Sequence, residues 1–261
     1  LSHSGDAYVF GKLSNLRADR EGVAFFYHNL KGDSATVPPV LQRLGNIRFT
    51  GEVSGFLTDL VMYGQVSTDV GILRTDLKFS SDKKQGSMAY SGSIKTQDFR
   101  LGVLVDNPKL GDITFNVNVD GQNHANHYPT IIAQGLIDSL TYSDYTYKQI
   151  ALDGEYQQGG FTGRLTLDDP NASMSLTGSF NTSSPTPTFN VLTRIDRLNP
   201  HALHLTPKYE DTNISVQIKA DFTGGSIDEM DGEINIDSLR FTSPRQNYFM
   251  ENFQLKAARP D

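Results

Sequence analysis

The sequence predicts an all-β protein built from many short strands. Most of the chain alternates apolar and polar residues at period 2, which places every second side chain on one face of a strand. Gly, Asn, Asp and Pro recur between the alternating runs, where turns are expected. The composition points the same way, because 37% hydrophobic residues with 23 glycines and no tryptophan suit half-apolar strands better than buried helices.

One short helix is expected near the start of the chain. Pro38 and Pro39 can form a first turn, three apolar residues follow at helical spacing, and Gly45 ends the pattern. The sequence therefore predicts a helix over residues 38–44. Residues 14–30 show no clear period, so neither a helix nor a strand is assigned to them.

The strand pattern is clearest in residues 113–119, which read ITFNVNV. Every apolar residue there falls on one face and every polar residue on the other. Shorter runs with the same alternation are LTL from Leu165, ISVQI from Ile214 and INI from Ile234. Each is bordered by turn-forming residues, so each is predicted to be a strand.

An internal repeat with a period of about 100 residues organises the chain. GLIDSLTY and GEINIDSLRF share the pattern Ile-Asp-Ser-Leu-x-aromatic, and each has an alternating strand before it and another after it. Repeats of this length indicate units that stack and share one core. We therefore expect an N-terminal segment over residues 1–36 and one continuous body over 37–261, with repeat copies at 94–155 and 195–257.

Charge and composition exclude several classes of function. The 23 Lys and Arg against 30 Asp and Glu give a net charge of -7, which repels nucleic-acid phosphates, so no nucleic-acid partner is expected. The absence of cysteine excludes disulfides, thiolate nucleophiles and Cys-ligated zinc. No apolar run reaches the ~18 residues of a membrane-spanning helix, and the first residues do not read as a signal peptide.

Catalytic and metal-binding signatures are missing from the sequence. It contains no G-x-S-x-G, G-x-x-x-x-G-K or G-x-G-x-x-G motif. His124 and His127, like His201 and His204, form an H-x-x-H pair without a third ligand nearby, and residues 168–171 (DDPN) read as a turn. We predict no catalytic residues, no metal and no cofactor. A glycoside hydrolase stays open as a third hypothesis, because the separation of paired carboxylates is a property of the fold.

Segments in and around the repeat resemble a known family. These are residues 37–79 (VPPVLQRLGNIRF…LKF), 107–121 (NPKLGDITFNVNVDG), 135–180 (GLIDSLTYSDYTY…TGSF) and 232–241 (GEINIDSLRF). They are similar to the interior of envelope proteins of the AsmA-like superfamily, in the TamB (translocation and assembly module) branch and in its Bacteroidetes form. The resemblance covers residues 37–257 and consists of strand patterns, without a catalytic motif.

The resemblance implies a long curled antiparallel or mixed sheet that forms an open groove (a β-taco), apolar inside and polar outside. Such proteins are implicated in carrying phospholipid towards the outer membrane and in outer-membrane protein assembly. It therefore implies a periplasmic location, phospholipid acyl chains as ligands and an outer-membrane barrel protein as a partner of the full-length chain. Family members are longer and begin with an inner-membrane anchor, so this chain is expected to be an internal segment.

Physical reasoning from the residues is compatible with a groove. A sheet with one apolar face must hide that face, and curling the sheet leaves a furrow that acyl chains can fill. The apolar strand positions then predict the groove lining as Ile113, Phe115, Val117, Val119, Ile150, Leu152, Leu165, Leu167, Ile214, Val216, Ile218, Ile234, Ile236, Phe253 and Leu255. The alternative arrangement is a closed sandwich in which these side chains pack only against one another.

A second functional hypothesis is a secreted carbohydrate-binding or adhesin β-sandwich. Tyr142, Tyr145 and Tyr147 lie within one short segment, and exposed tyrosines are common in sugar-binding platforms. The competing interpretation of the same residues is cross-strand aromatic packing within the sheet.

Overall fold

The computed structural model describes residues 8–31, 36–56, 58–82, 87–123, 129–226 and 229–258. The strands of this part are β1 (Tyr8–Ala18), β2 (Ile47–Phe56), β3 (Asp59–Thr68), β4 (Gly71–Asp82), β5 (Ser87–Arg100), β6 (Leu110–Asn123), β7 (Thr130–Tyr142), β8 (Tyr145–Gln157), β9 (Gly160–Asp169), β10 (Ala172–Asn181), β11 (Thr188–Leu198), β12 (Asn213–Thr223), β13 (Asp231–Thr242) and β14 (Asn247–Ala257). The helices are α1 (Arg20–Lys31), α2 (Pro39–Arg43) and α3 (Leu101–Val105).

The strands form one antiparallel sheet in which spatial order follows chain order, from β1 at one edge to β14 at the other. Such an order needs no crossover connections, so short turns join most neighbouring strands. The predicted all-β class is confirmed.

The predicted short helix is α2, one residue shorter at each end than the predicted segment. Pro39 lies in its first turn, where a fixed φ is favourable and the missing N–H costs nothing. Gly45 follows the helix with φ 69°, in the left-handed region that glycine adopts most easily.

Residues 14–30, to which the sequence assigns no element, form the end of β1 and most of α1. The helix begins after Asp19, whose Oδ1 accepts a hydrogen bond of 2.8 Å from the Gly22 N–H. This is the N-cap arrangement that satisfies a free amide of the first turn.

The chain divides into two compact units, which are described separately. Unit 1 comprises residues 1–127 and 137–146, and unit 2 comprises residues 128–136 and 147–261. That residues 37–261 form one continuous body stays a prediction.

In unit 1, the strand register sorts side chains by polarity. On one face, Val53 of β2 lies opposite Met62 of β3, which lies opposite Leu77 of β4. One residue along each strand, the other face carries charged and polar groups, such as Glu52 and Asp76. Since neighbouring strands keep the same register, the alternation seen in single strands becomes one apolar face across β2–β6.

A buried cluster lies at one end of the apolar face of unit 1. Val70, Phe99 and Ile113 form its centre, with relative exposures of 2%, 3% and 8%. Partly buried leucines pack against it, including Leu101 and Leu104 of α3. The short helix is therefore held by its apolar contacts, since five residues are too few for a stable isolated helix.

In unit 2, the long connection over residues 199–212 joins β11 to β12. Leu203, within it, is only 1% exposed. The Asn199 side chain accepts a hydrogen bond of 3.0 Å from the Ala202 N–H, which fixes the start of the connection. At an offset of about 100 residues, this connection corresponds to the segment that contains α3 and joins β5 to β6. Each copy of the sequence repeat therefore has a long connection before the corresponding strand, β6 or β12.

Candidate functional site

The four predicted lining residues in unit 1 lie together on β6. Ile113, Phe115, Val117 and Val119 alternate along this strand and face the apolar side of the sheet, with Ile113 and Val117 buried and the other two half-buried. Their cross-strand partners on β5 are mainly apolar or small, as for Val117, which lies opposite Ile94.

The eleven predicted lining residues in unit 2 also share one face. Ile150 lies opposite Leu167, and Leu152 lies opposite Leu165. Along β12, the predicted residues alternate with polar ones; they are Ile214, Val216 and Ile218. Two cross-strand rows continue from β12 and β13 towards β14, namely Ile218–Ile236–Phe253 and Ile234–Leu255. Most of these side chains are half-buried, Val216 is buried, and Phe253 is 45% exposed.

A row of aromatic side chains in unit 2 was not predicted. It crosses β8–β12 at one level of the sheet, on the apolar face, and consists of Tyr156, Phe161, Phe180, Phe189 and Phe222. The Phe189 and Phe222 rings stack with centroids 4.8 Å apart, and those of Phe161 and Phe180 are 5.6 Å apart. Aromatic neighbours at such distances stabilise the sheet beyond their buried area.

A row of glycines lies beside the aromatic row. Gly154, Gly163 and Gly178 face one another on β8–β10, and the Phe161 ring covers the first two. The sequence signal for both rows is a glycine two positions from an aromatic residue, in GEY, FTG and GSF. The same packing of an aromatic ring over opposed glycines occurs in unit 1, where the Phe49 ring lies over Gly51 and Gly64.

Few apolar side chains are fully shielded from solvent. In the described part of the chain, twelve hydrophobic residues are buried, whereas twenty-two large hydrophobic residues are exposed. Some of the exposed ones, such as Val61, Ile72 and Leu192, lie on the polar faces of their units. Most of the lining residues named above therefore keep part of their surface accessible to solvent within the described part of the chain.

Tyr90 is a titratable group on the apolar face of unit 1. It lies opposite Gly121, and its ring occupies the space that a side chain at Gly121 would need. Burial raises the pKa of the Tyr90 phenol above its ordinary value, because desolvation disfavours the charged form.

The histidine and carboxylate motifs do not form a metal site within the described residues, where no three His, Asp or Glu side chains are grouped to hold an ion. His124 and His127 lie outside those residues. His201 Nε2 lies 3.9 Å from a carboxylate oxygen of Glu210. Asp169 is 1% exposed, and its carboxylate accepts backbone N–H groups, which is a structural role in the turn between β9 and β10.

The three clustered tyrosines do not form a shared exposed platform. Tyr142 is 38% exposed, whereas Tyr145 and Tyr147 are half-buried within β8. The packing interpretation therefore suits Tyr145 and Tyr147 better than sugar stacking does.

Among the described helices, none combines the length and the apolarity needed to cross a membrane. Comparison of the sequence with protein-family models and with curated proteins, and of the structure with solved structures, gives no significant match.

Proposed function

We propose that this chain is a non-enzymatic segment of an envelope-biogenesis protein and that its apolar sheet faces hold phospholipid acyl chains. One observation carries the proposal. In each unit, the register aligns apolar side chains from neighbouring strands on one face, and most of these side chains are only half-buried. An acyl chain lying against such a face would complete the burial that the protein itself leaves unfinished.

The energy of such an interaction is adequate for lipid binding. Each buried methylene contributes about 0.8 kcal/mol, so even half of a chain of ~16 carbons contributes about 6 kcal/mol before ordering costs. Immobilising the chain and the lipid removes part of this. A polar recognition site is not required, because a continuous apolar surface is sufficient for the lipid tail.

The proposed setting is the periplasm, with the full-length protein anchored in the inner membrane and an outer-membrane barrel protein as its partner. This part of the proposal rests on the resemblance of the repeat segments to the TamB branch. Scaffolding of outer-membrane protein assembly is the related role that needs no bound lipid.

Native mass spectrometry after incubation with phospholipid vesicles tests the proposal. The test variants are Phe115→Asp in unit 1 and Ile218→Asp in unit 2, each of which places a charge on an apolar face. The matched controls are Asn116→Asp and Gln217→Asp, which add the same charge one residue away on the opposite face. Lipid should copurify with the wild type and both controls, and each test variant should retain less.

Photo-crosslinking tests lipid contact even if the aspartate variants fail to fold. A photo-crosslinking amino acid at position 115 should label a phospholipid acyl chain, whereas the same probe at position 116 should not, since the two side chains project from opposite faces. No lipid on the wild-type protein, or equal labelling at the two positions, would overturn the lipid-binding function.

A further inference from the structure

The polar face of unit 1 contains an unusual pair of charges. Arg74 of β4 lies directly opposite Lys95 of β5. Directly opposed residues on one sheet face have Cβ atoms about 5 Å apart, and two like charges at that separation destabilise the pairing. On β2, β3 and β6, the residues that continue this cross-strand row are uncharged, namely Thr50, Gln65 and Asn116.

The nearest carboxylate along β4 is Asp76, two residues from Arg74 on the same face. Among the residues that the structure describes, neither the Arg74 side chain nor the Lys95 side chain forms an ion pair or a hydrogen bond, with Asp76 or with any other group. Lys78 provides the contrast, because it lies on the same strand and the same face, and its Nζ is 3.2 Å from an Asp59 carboxylate oxygen. Unlike Lys78, the Arg74–Lys95 pair between β4 and β5 is therefore not joined to a carboxylate by an ion pair.

Surface depressions border the charge pair on both sides, and both side chains line each of them. The depression towards β2 and β3 is also lined by Thr50, Tyr63, Gln65, Asp76 and Ser93. Tyr63 is 64% exposed, so its ring and hydroxyl are available to a ligand. The depression towards β6 is lined by further polar groups, among them Thr114, Asn116, Asp98 and Asp138.

We propose that Arg74 and Lys95 bind the anionic group of an acidic sugar, a uronate or a sugar phosphate, in the depression towards β2 and β3. An oxyanion between the two cations would turn their repulsion into two attractions, and Arg offers a forked donor that suits carboxylate and phosphate. Asp76 in the same depression can accept hydrogen bonds, and a sugar ring offers it several hydroxyl donors beside the anionic group. The exposed Tyr63 ring is available to pack against the sugar.

Titration of the whole chain at low salt, followed by NMR or calorimetry, tests this site. The probes are glucuronate, glucose 6-phosphate, inorganic phosphate and glucose. We expect both acidic sugars to bind at least 10-fold more tightly than inorganic phosphate, and glucose not to bind measurably. Added salt should weaken the binding, because it screens exposed charges.

Arg74→Gln and Lys95→Gln should each weaken acidic-sugar binding about 10-fold, because one of the two attractions is lost. Lys78→Gln is the matched control and should bind as the wild type does. Both test variants should be at least as stable as the wild type, since they remove a repulsion. No binding of acidic sugars to the wild type, equal affinity for inorganic phosphate, or an equal loss in Lys78→Gln would overturn the proposal.

Discussion

Alanine at Gly51 gives a sharp test of how the strands of unit 1 approach one another. Gly51 on β2 lies directly opposite Gly64 on β3. A Cβ at Gly51 would be 2.7 Å from the Gly64 Cα and 2.9 Å from the Phe49 ring, and it would also clash with the Tyr63 carbonyl oxygen. Two of these atoms belong to the backbone of the paired strand, so relief requires the strands to move apart.

The expected change in the free energy of unfolding at Gly51 is best judged against Gly11 on β1. A Cβ at Gly11 would have no neighbour within 4 Å, so Gly11→Ala should stabilise the strand by about 0.5 kcal/mol through lower backbone entropy in the unfolded chain. Overpacking at Gly51 should instead cost about 1 to 3 kcal/mol. The two variants should therefore differ by about 1.5 to 3.5 kcal/mol, and with a urea slope of about 3 kcal/mol per molar this separates their midpoints by roughly 0.5 to 1.2 M.

Urea unfolding followed by far-ultraviolet circular dichroism measures both variants against the wild type. Gly51→Ala should unfold at lower urea than the wild type, and Gly11→Ala at the same or slightly higher urea. Coincident midpoints for the two variants would refute the reasoning, because they would mean that the opposed glycines are not in tight contact.

Three further outcomes follow from the described contacts. Phe99→Ala, in a side chain only 3% exposed, should lower the free energy of unfolding by about 3 to 5 kcal/mol, whereas Phe253→Ala should cost much less by the same urea assay. Asp169→Ala should cost about 1 to 3 kcal/mol because it leaves backbone N–H groups without an acceptor, and Asp168→Ala at the exposed neighbour should be near neutral. The contribution of the Tyr90 proton to stability should be fully present below the ordinary tyrosine pKa of 10.0 and should be lost as the pH rises through the raised pKa of Tyr90, since the folded state holds that proton more tightly. Tyr90→Phe should reduce the loss of stability over this alkaline range in a pH series of unfolding curves.

Alternation within single strands predicted strands over residues 113–119, 165–167, 214–218 and 234–236, and these runs lie in β6, β9, β12 and β13. The alternating apolar residues of β6, β8 and β9 lie on one face of their strands, because a period of 2 is a local property of a strand. The proline signal was likewise enough for α2. The helix α3 was not predicted, because its five residues are held by contacts with the buried cluster that contains Phe99 and Ile113, and the helix's own sequence pattern does not encode those contacts.

The pairing register between neighbouring strands could not be predicted from the sequence. Arg74 and Lys95 are 21 positions apart, and neither belongs to a sequence motif. Only the pairing of β4 with β5 makes them direct neighbours. The aromatic row of unit 2 has the same origin, because its members come from five strands joined by turns of different lengths. Cross-strand rows depend on turn length as well as on alternation, so each turn that is misjudged by one residue shifts the whole row.

The two proposed activities use opposite faces of unit 1, and this makes them separable by experiment. Phe115 and Val117 face the apolar side, whereas Arg74 and Lys95 face the polar side. Phe115→Asp should therefore reduce lipid retention and leave acidic-sugar binding unchanged, and Lys95→Gln should do the reverse. Loss of both activities in either variant, together with a lowered urea midpoint, would indicate unfolding of the unit and not a local effect on one face. Independent losses would mean that one sheet presents an apolar surface to lipid and a separate charged site to saccharide.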